Sequence, residues 1–190
     1  MLKAKELHDS EGDCEALFFI PTDMAVEYTL WMQKTKMGSS PKDSLSAFGF
    51  AVCAIPWPSE ETEDVAVRVW PGQHGEDAYI PPSGLKLKAY DVEVEFCYKG
   101  AVDTAYAKYK ALRNYLTGID GSGGELMIYD PYWRKGKTKV RVNKIGDLDP
   151  HRSNVDEVLS AKVTFRVANP VTEIGVGKDT NGNIVSLGAV

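Results

Sequence analysis

The sequence predicts a mainly β fold, a β-sandwich or open barrel with one packed α-helix, which is α+β by strict count. Three observations carry that prediction. Several segments alternate apolar and polar residues with period two, as half-buried strands do. One segment alone has clear helical spacing. Helices do not fall between most strands, as a doubly wound α/β fold would require. With 190 residues, 43% hydrophobic and 26% charged, the chain can bury a core without staples. That composition excludes fibrous, collagen-like and wholly disordered classes.

In chain order, Ala16 to Ile20 is a continuous apolar run ended by Pro21, read as a buried strand. Val26, Tyr28 and Leu30 alternate, as do Val65, Val67 and Val69. Ser46 to Ile55 is apolar enough for a central strand, closed by Pro56 and Pro58. Ser59 to Asp64 is an acidic loop. Tyr90, Val92, Val94, Phe96 and Tyr98 alternate with Asp91, Glu93, Glu95 and Cys97, and Gly100 ends that strand.

The helix follows. Asp103 stands at its N-cap, and Ala105, Tyr109, Leu112 and Leu116 lie at spacings of four, three and four. Gly118 occupies the left-handed C-terminal position, and a Gly-rich turn runs to Gly124. Glu125 to Tyr129 is a short strand stopped by Pro131. Thr138, Val140 and Val142 alternate, and Leu159 to Val167 is the longest clean alternation of all. Asn169–Pro170 stops it, and Thr180 to Asn183 reads as a hairpin tip or part of a mobile tail. The chain is therefore one β-rich domain over 1–174 and a C-terminal hairpin or flexible tail over 175–190.

Charge is unevenly spread. The net charge is −5, yet residues 1–84 carry 6 basic and 14 acidic side chains and residues 85–190 carry 16 and 13. Such a balance argues against a general nucleic-acid binder. The odd count of cysteines, Cys14, Cys53 and Cys97, and their wide spacing argue against a disulfide framework. Cys97 reads as a reduced packing thiol, in a chain made in a reducing cytoplasm. The N-terminal stretch has no signal-peptide apolar region, and no window is long and apolar enough for a membrane helix.

No catalytic signature emerges. Nothing in the sequence groups a cysteine with His8, His74 or His151. His74, Glu76 and Asp77 read as a solvated loop rather than a metal site. Asp179, Asn181 and Asn183 echo a calcium loop, but Val190 stands where its bidentate Glu belongs. The sequence thus implies no enzyme, no cofactor and no metal.

The remaining candidate is an interface of aromatic and basic residues: Tyr129, Tyr132, Trp133, Lys135, Lys137, Lys139 and Arg141. Basic residues interleaved with aromatics can hold a phosphate backbone. Their period of two equally makes Lys135, Lys137, Lys139 and Arg141 the wet face of a strand, able to pair with the acidic row Asp91, Glu93 and Glu95 on an adjacent one. Trp31, Trp57, Trp70 and Trp133 are read as core or interface.

The stretch from Leu85 to Pro170 resembles ring-forming tail proteins of long-tailed bacteriophages, the distal tail proteins and their tail-tube relatives. The strand from Tyr90 to Phe96, the helix with Tyr109, Leu112, Arg113 and Leu116, the run from Leu126 to Trp133, then Val140 to Val142 and Leu159 to Val167 carry the likeness. The resemblance implies a structural virion component that assembles with itself into a ring, a hexamer, and meets other tail proteins. It implies a location in the virion after synthesis in the bacterial host cytoplasm. A β-sandwich module that stacks Tyr129, Tyr132 and Trp133 on sugars or nucleobases is the alternative.

Overall fold

The structure, a computed structural model, describes residues 28–152 and 157–189. Seven strands form one sheet: β1 (Trp31–Lys34), β2 (Lys42–Asp43), β3 (Ala51–Ala54), β6 (Tyr90–Gly100), β7 (Glu125–Asp130), β8 (Lys135–Arg152) and β9 (Glu157–Val167). Two short hairpins stand apart, β4 (Val67–Arg68) with β5 (Asp77–Ala78) and β10 (Ile174–Lys178) with β11 (Ile184–Ala189). The helices are α1 (Ser44–Phe48) and α2 (Val102–Thr117).

The order across the main sheet is β2-β1-β7-β8-β9-β6-β3, and every pairing in it is antiparallel. Its two edge strands, β2 and β3, are joined by α1 and two further residues. Ser44 N, just after β2, donates to Leu30 O at 3.0 Å, and Val52 N of β3 donates to Tyr28 O at 2.8 Å, so both edges meet the segment that leads into β1. A sheet whose edges meet must curl, so the sandwich-or-barrel choice resolves to an open barrel with α1 in the gap.

Period two does the work that the sequence predicts for it in the centre. Tyr90, Val92, Val94, Phe96 and Tyr98 of β6 are buried, and so are Leu159, Ala161, Val163, Phe165 and Val167 of β9. Cross-strand pairs share a face, and Val92↔Phe165 and Val94↔Val163 meet in one core with Leu126, Ile128 and Val140.

Helix α2 seals that core with Ala105, Leu112, Tyr115 and Leu116, while Tyr109 is half-buried against it. Tyr115 OH donates to Met32 O at 3.2 Å and stacks obliquely on Phe48. Gly118 ends the helix with φ 75°, its N–H reaching Asn114 O and Tyr115 O. A Cβ there would collide with the Gly123 backbone, so glycine is required twice over. The buried Lys34 ammonium donates to Gly123 O at 2.5 Å and Leu116 O at 3.5 Å, adding a cation where the helix presents unpaired carbonyls.

Several expectations are corrected. Ser46 to Ile55 is not a central strand: Asp43 Oδ1 accepts from Leu45 N at 2.8 Å, which starts α1, and Gly49 with φ 80° stops it before the edge strand β3. The N-cap of α2 is Ala101, not Asp103, and Thr104 Oγ1 donates to Ala101 O at 3.1 Å. Of the alternating Val26, Tyr28 and Leu30, Val26 lies outside the described residues and the other two precede β1, which begins at Trp31. Cys97 is not a free thiol: it is bonded to Cys53, because β3 and β6 are neighbours although 44 residues apart in sequence. The Ala16 to Ile20 run and Cys14 lie outside the described residues.

Residues 174–189 form a hairpin whose Ile174 and Leu187 make a second small core with Tyr129. Gly136 of β8 permits the close approach, since a Cβ there would press into Ile174 and the Tyr129 ring.

Candidate functional site

The seven expected interface residues do not form one strip. A bulge in the β7–β8 ladder breaks it: Leu126 faces Val140 and Ile128 faces Lys137, leaving Thr138 and Lys139 opposite Met127. Lys139 takes φ 52°, the left-handed region that a non-glycine residue seldom adopts. The extra residue reverses the phase of the alternation. Lys137 turns to the same side as the core residue Ile128, whereas Arg141 faces outward beside Glu125.

Lys137 is therefore 1% exposed, not a wet-face cation. Its ammonium donates to Pro170 O at 2.7 Å and Glu173 Oε1 at 3.2 Å, with Glu60 at 3.9 Å. A buried charge survives only with such partners. Tyr129 is also buried, in the small C-terminal core.

The remaining residues separate to opposite ends of the β7–β8 hairpin. At the turn end, Asp130 is buried and accepts from Tyr132 N, Trp133 N and Trp57 Nε1, at 3.0, 3.4 and 3.1 Å. That carboxylate fixes a turn on which Tyr132 and Trp133 are each 62% exposed, edge to face, with centroids 5.4 Å apart. Lys135 lies 5.0 Å over the Trp57 ring and 4.0 Å from Glu60.

At the other end, Lys139 and Arg141 line a cleft of about 560 Å³ between the C-terminal end of α2 and the edge of β8. Lys144, Asn143, Thr117 and Glu125 complete its polar lining. Thus the cleft collects three cations from β8 and one carboxylate from β7, with α2 supplying the opposite wall.

The acidic row is placed as expected on the outer face of β6, but its ion-pair partners are not the basic residues of β8. β9 lies between, and Arg166 meets Asp91 at 3.3 Å while Lys162 meets Glu93 at 3.7 Å. Asn143 Nδ2 adds a longer bond to Asp91 at 3.4 Å. These pairs are exposed and contribute little to stability.

Sequence reasoning missed the segment from Ser59 to Lys86. It reads there as an acidic loop and a strand, yet all its residues but Val65 and Pro81 are exposed. Trp70 is exposed with Trp133, whereas Trp31 and Trp57 are half-buried. Proline and glycine at Pro71, Gly72, Gly75, Pro81, Pro82 and Gly84 were the available signal for an excursion rather than a core strand. Among the described residues, no group of three His, Cys, Asp or Glu side chains is placed to hold a metal ion. No helix among them is long and apolar enough to cross a membrane.

Fold and surfaces define an open β-barrel domain with a long excursion, a basic cleft and an exposed aromatic turn. No family model matches the chain, and no curated protein matches it. Among solved structures it is similar to the Dit (gp 19.1) protein of phage SPP1, described as a paradigm of the hub adsorption apparatus in phages that infect Gram-positive bacteria. The TM-score is 0.49 and the identity 15%, over 77% of this chain and 52% of that one. This chain thus spans about half the length of the solved protein.

Proposed function

We propose that this chain is a structural component of a phage or prophage tail that assembles with copies of itself into a ring, at the tail tube or its distal end. In that reading it acts by packing, not by catalysis. It resides in the virion beside other tail proteins, after synthesis in the host cytoplasm. The observation that carries the proposal is the segment from Tyr90 to Val167. Its order of long strand, single helix, short strand and two long strands is the order on which the tail-protein resemblance rests, and it forms the centre of the barrel. Its surfaces add support, because large apolar and charged areas stand outside a complete core. Negative-stain imaging of the purified chain at high concentration tests it: rings with a central channel are expected, and dispersed particles of one-chain size would contradict it.

The exposed Tyr132–Trp133 pair favours a second reading, a module that stacks on sugar rings or nucleobases. Binding to a glycan array or to single-stranded DNA that disappears in Trp133→Ala would favour this reading over the first.

A further inference from the structure

The segment Ser59–Lys86 is a hairpin arm, closed by β4 with β5 and by the Thr62–Leu87 bridge. An arm meant for water would be polar. This one presents Val67, Val69, Trp70, Tyr79 and Ile80, with Val69 68% and Ile80 62% exposed. Apolar side chains so gathered mark an association surface. The tip is held in shape before any partner arrives. The Arg68 guanidinium lies 3.6 Å from the Trp70 ring, and Trp70 Nε1 and Gln73 Nε2 both donate to the Asp77 carboxylate, at 3.0 and 3.2 Å. Preorganisation of this kind lowers the ordering cost of docking.

The complement is on the barrel. Lys139, Arg141 and Lys144 are exposed in the cleft, and none makes an ion pair among the described residues. On the arm, Glu61, Glu63 and Glu76 are likewise exposed and form no ion pair there. The cleft also adjoins open backbone: past Arg141, β8 is paired with β9 on one side and with no strand on the other, among the described residues. An unpaired edge offers amides and carbonyls to an extended segment.

No residue of the arm lines the cleft of its own copy. The arm is rooted at the turn end of the β7–β8 hairpin, where Trp57 binds Asp130 and Glu60 faces Lys135 and Lys137. The cleft lies beyond the far end of that ladder, at the Glu125–Arg141 pair, about 17 Å away at strand rise. A contact joining these two surfaces across copies is head-to-tail, the kind that closes rings.

From these features we infer that the arm of one copy docks into the Lys139–Arg141–Lys144 cleft of a second copy, its carboxylates meeting those cations and its apolar side chains covered by the contact. The inference rests on the self-assembly reading above and names the surfaces that would serve it.

Light scattering coupled to size-exclusion chromatography tests it with two full-chain variants, one carrying Glu61→Lys, Glu63→Lys and Glu76→Lys, the other Lys139→Glu, Arg141→Glu and Lys144→Glu. Each alone should run as a monomer at concentrations where the unmodified chain assembles. An equimolar mixture should regain the assembled mass, because each reversed surface then finds its complement. Unchanged melting temperatures confirm that both variants fold, and Val69→Asp with Ile80→Asp on the arm gives an independent second disruption. If every variant assembles like the unmodified chain, the arm–cleft contact is wrong while self-assembly stands. If the mixture stays monomeric, the pairing of these two surfaces is wrong. A monomeric unmodified chain would sink both this inference and the ring.

Discussion

The barrel and its arm obey opposite rules. In the barrel, Val92, Val94, Phe96, Phe165 and Ile128 are wholly buried, and even the charged Lys137 is enclosed and fully partnered. In the arm, side chains of the same chemical kind face solvent and touch little of the body. The contrast shows that apolar content alone does not locate a core. What separates them is whether neighbouring strands repeat the pattern in register, as β6, β8 and β9 do and as the two-residue strands β4 and β5 do not.

Substitutions should expose that division. Phe96→Ala, in the middle of β6, should destabilise the protein by about 3–5 kcal/mol in denaturant unfolding, the cost of a large buried cavity. Ile80→Ala on the arm should change it by no more than about 0.5 kcal/mol. Equal effects at the two sites would erase the distinction. Reduction of the Cys53–Cys97 bond, which spans 44 residues, should lower stability by about 2–4 kcal/mol, read as a shift of the unfolding midpoint on adding dithiothreitol. No shift would mean that the staple between β3 and β6 is immaterial.

Alkaline titration sharpens the comparison further. Burial pushes the Tyr115 phenol up to about 12, with Asp120 adding to it, and does the same for Tyr90 with Glu60 and Glu173 nearby. Unfolded tyrosines release their protons near pH 10. Between pH 10 and 12 the unfolded chain therefore binds fewer protons than the folded one, and stability falls as pH rises through that window. The Tyr90 hydroxyl has no hydrogen-bond partner among the described residues. Tyr90→Phe should thus be nearly neutral at pH 7 yet give a shallower alkaline fall in melting temperature; an unchanged slope would remove Tyr90 from the account. The outer face should respond weakly, Arg166→Ala costing about 0.2–1 kcal/mol by loss of its exposed pair with Asp91, read in denaturant unfolding.

How far the sequence was readable follows from the same physics. The alternation of Tyr90–Tyr98 and of Leu159–Val167, the helical spacing of Ala105, Leu112 and Leu116, and the stop at Gly118 all lie where local pattern and tertiary burial agree. Pattern failed where one residue altered the phase: the left-handed Lys139 reverses the face of Lys137, so the expected basic strip divides. It failed at α1 because Asp43 and Gly49 bracket a single helical turn inside an apolar run. The Cys53–Cys97 bond depends on strand order, which spacing does not encode. Of the expected interface residues, Tyr132, Trp133, Lys139 and Arg141 are exposed, as their polar or loop setting in the sequence suggests. The arm was not, since the alternation of Val65, Val67 and Val69 imitates a core strand until its neighbours are known.

The division of labour is most directly tested by exchanging Glu61–Lys86 for a short Gly–Ser linker and measuring melting temperature and solution mass together. The account predicts a chain that melts within a few degrees of the unmodified protein and sediments as a single copy where the unmodified chain, of 20.9 kDa, sediments as a multimer. A linker variant that retains the multimer, or one that loses its cooperative melt, would contradict it.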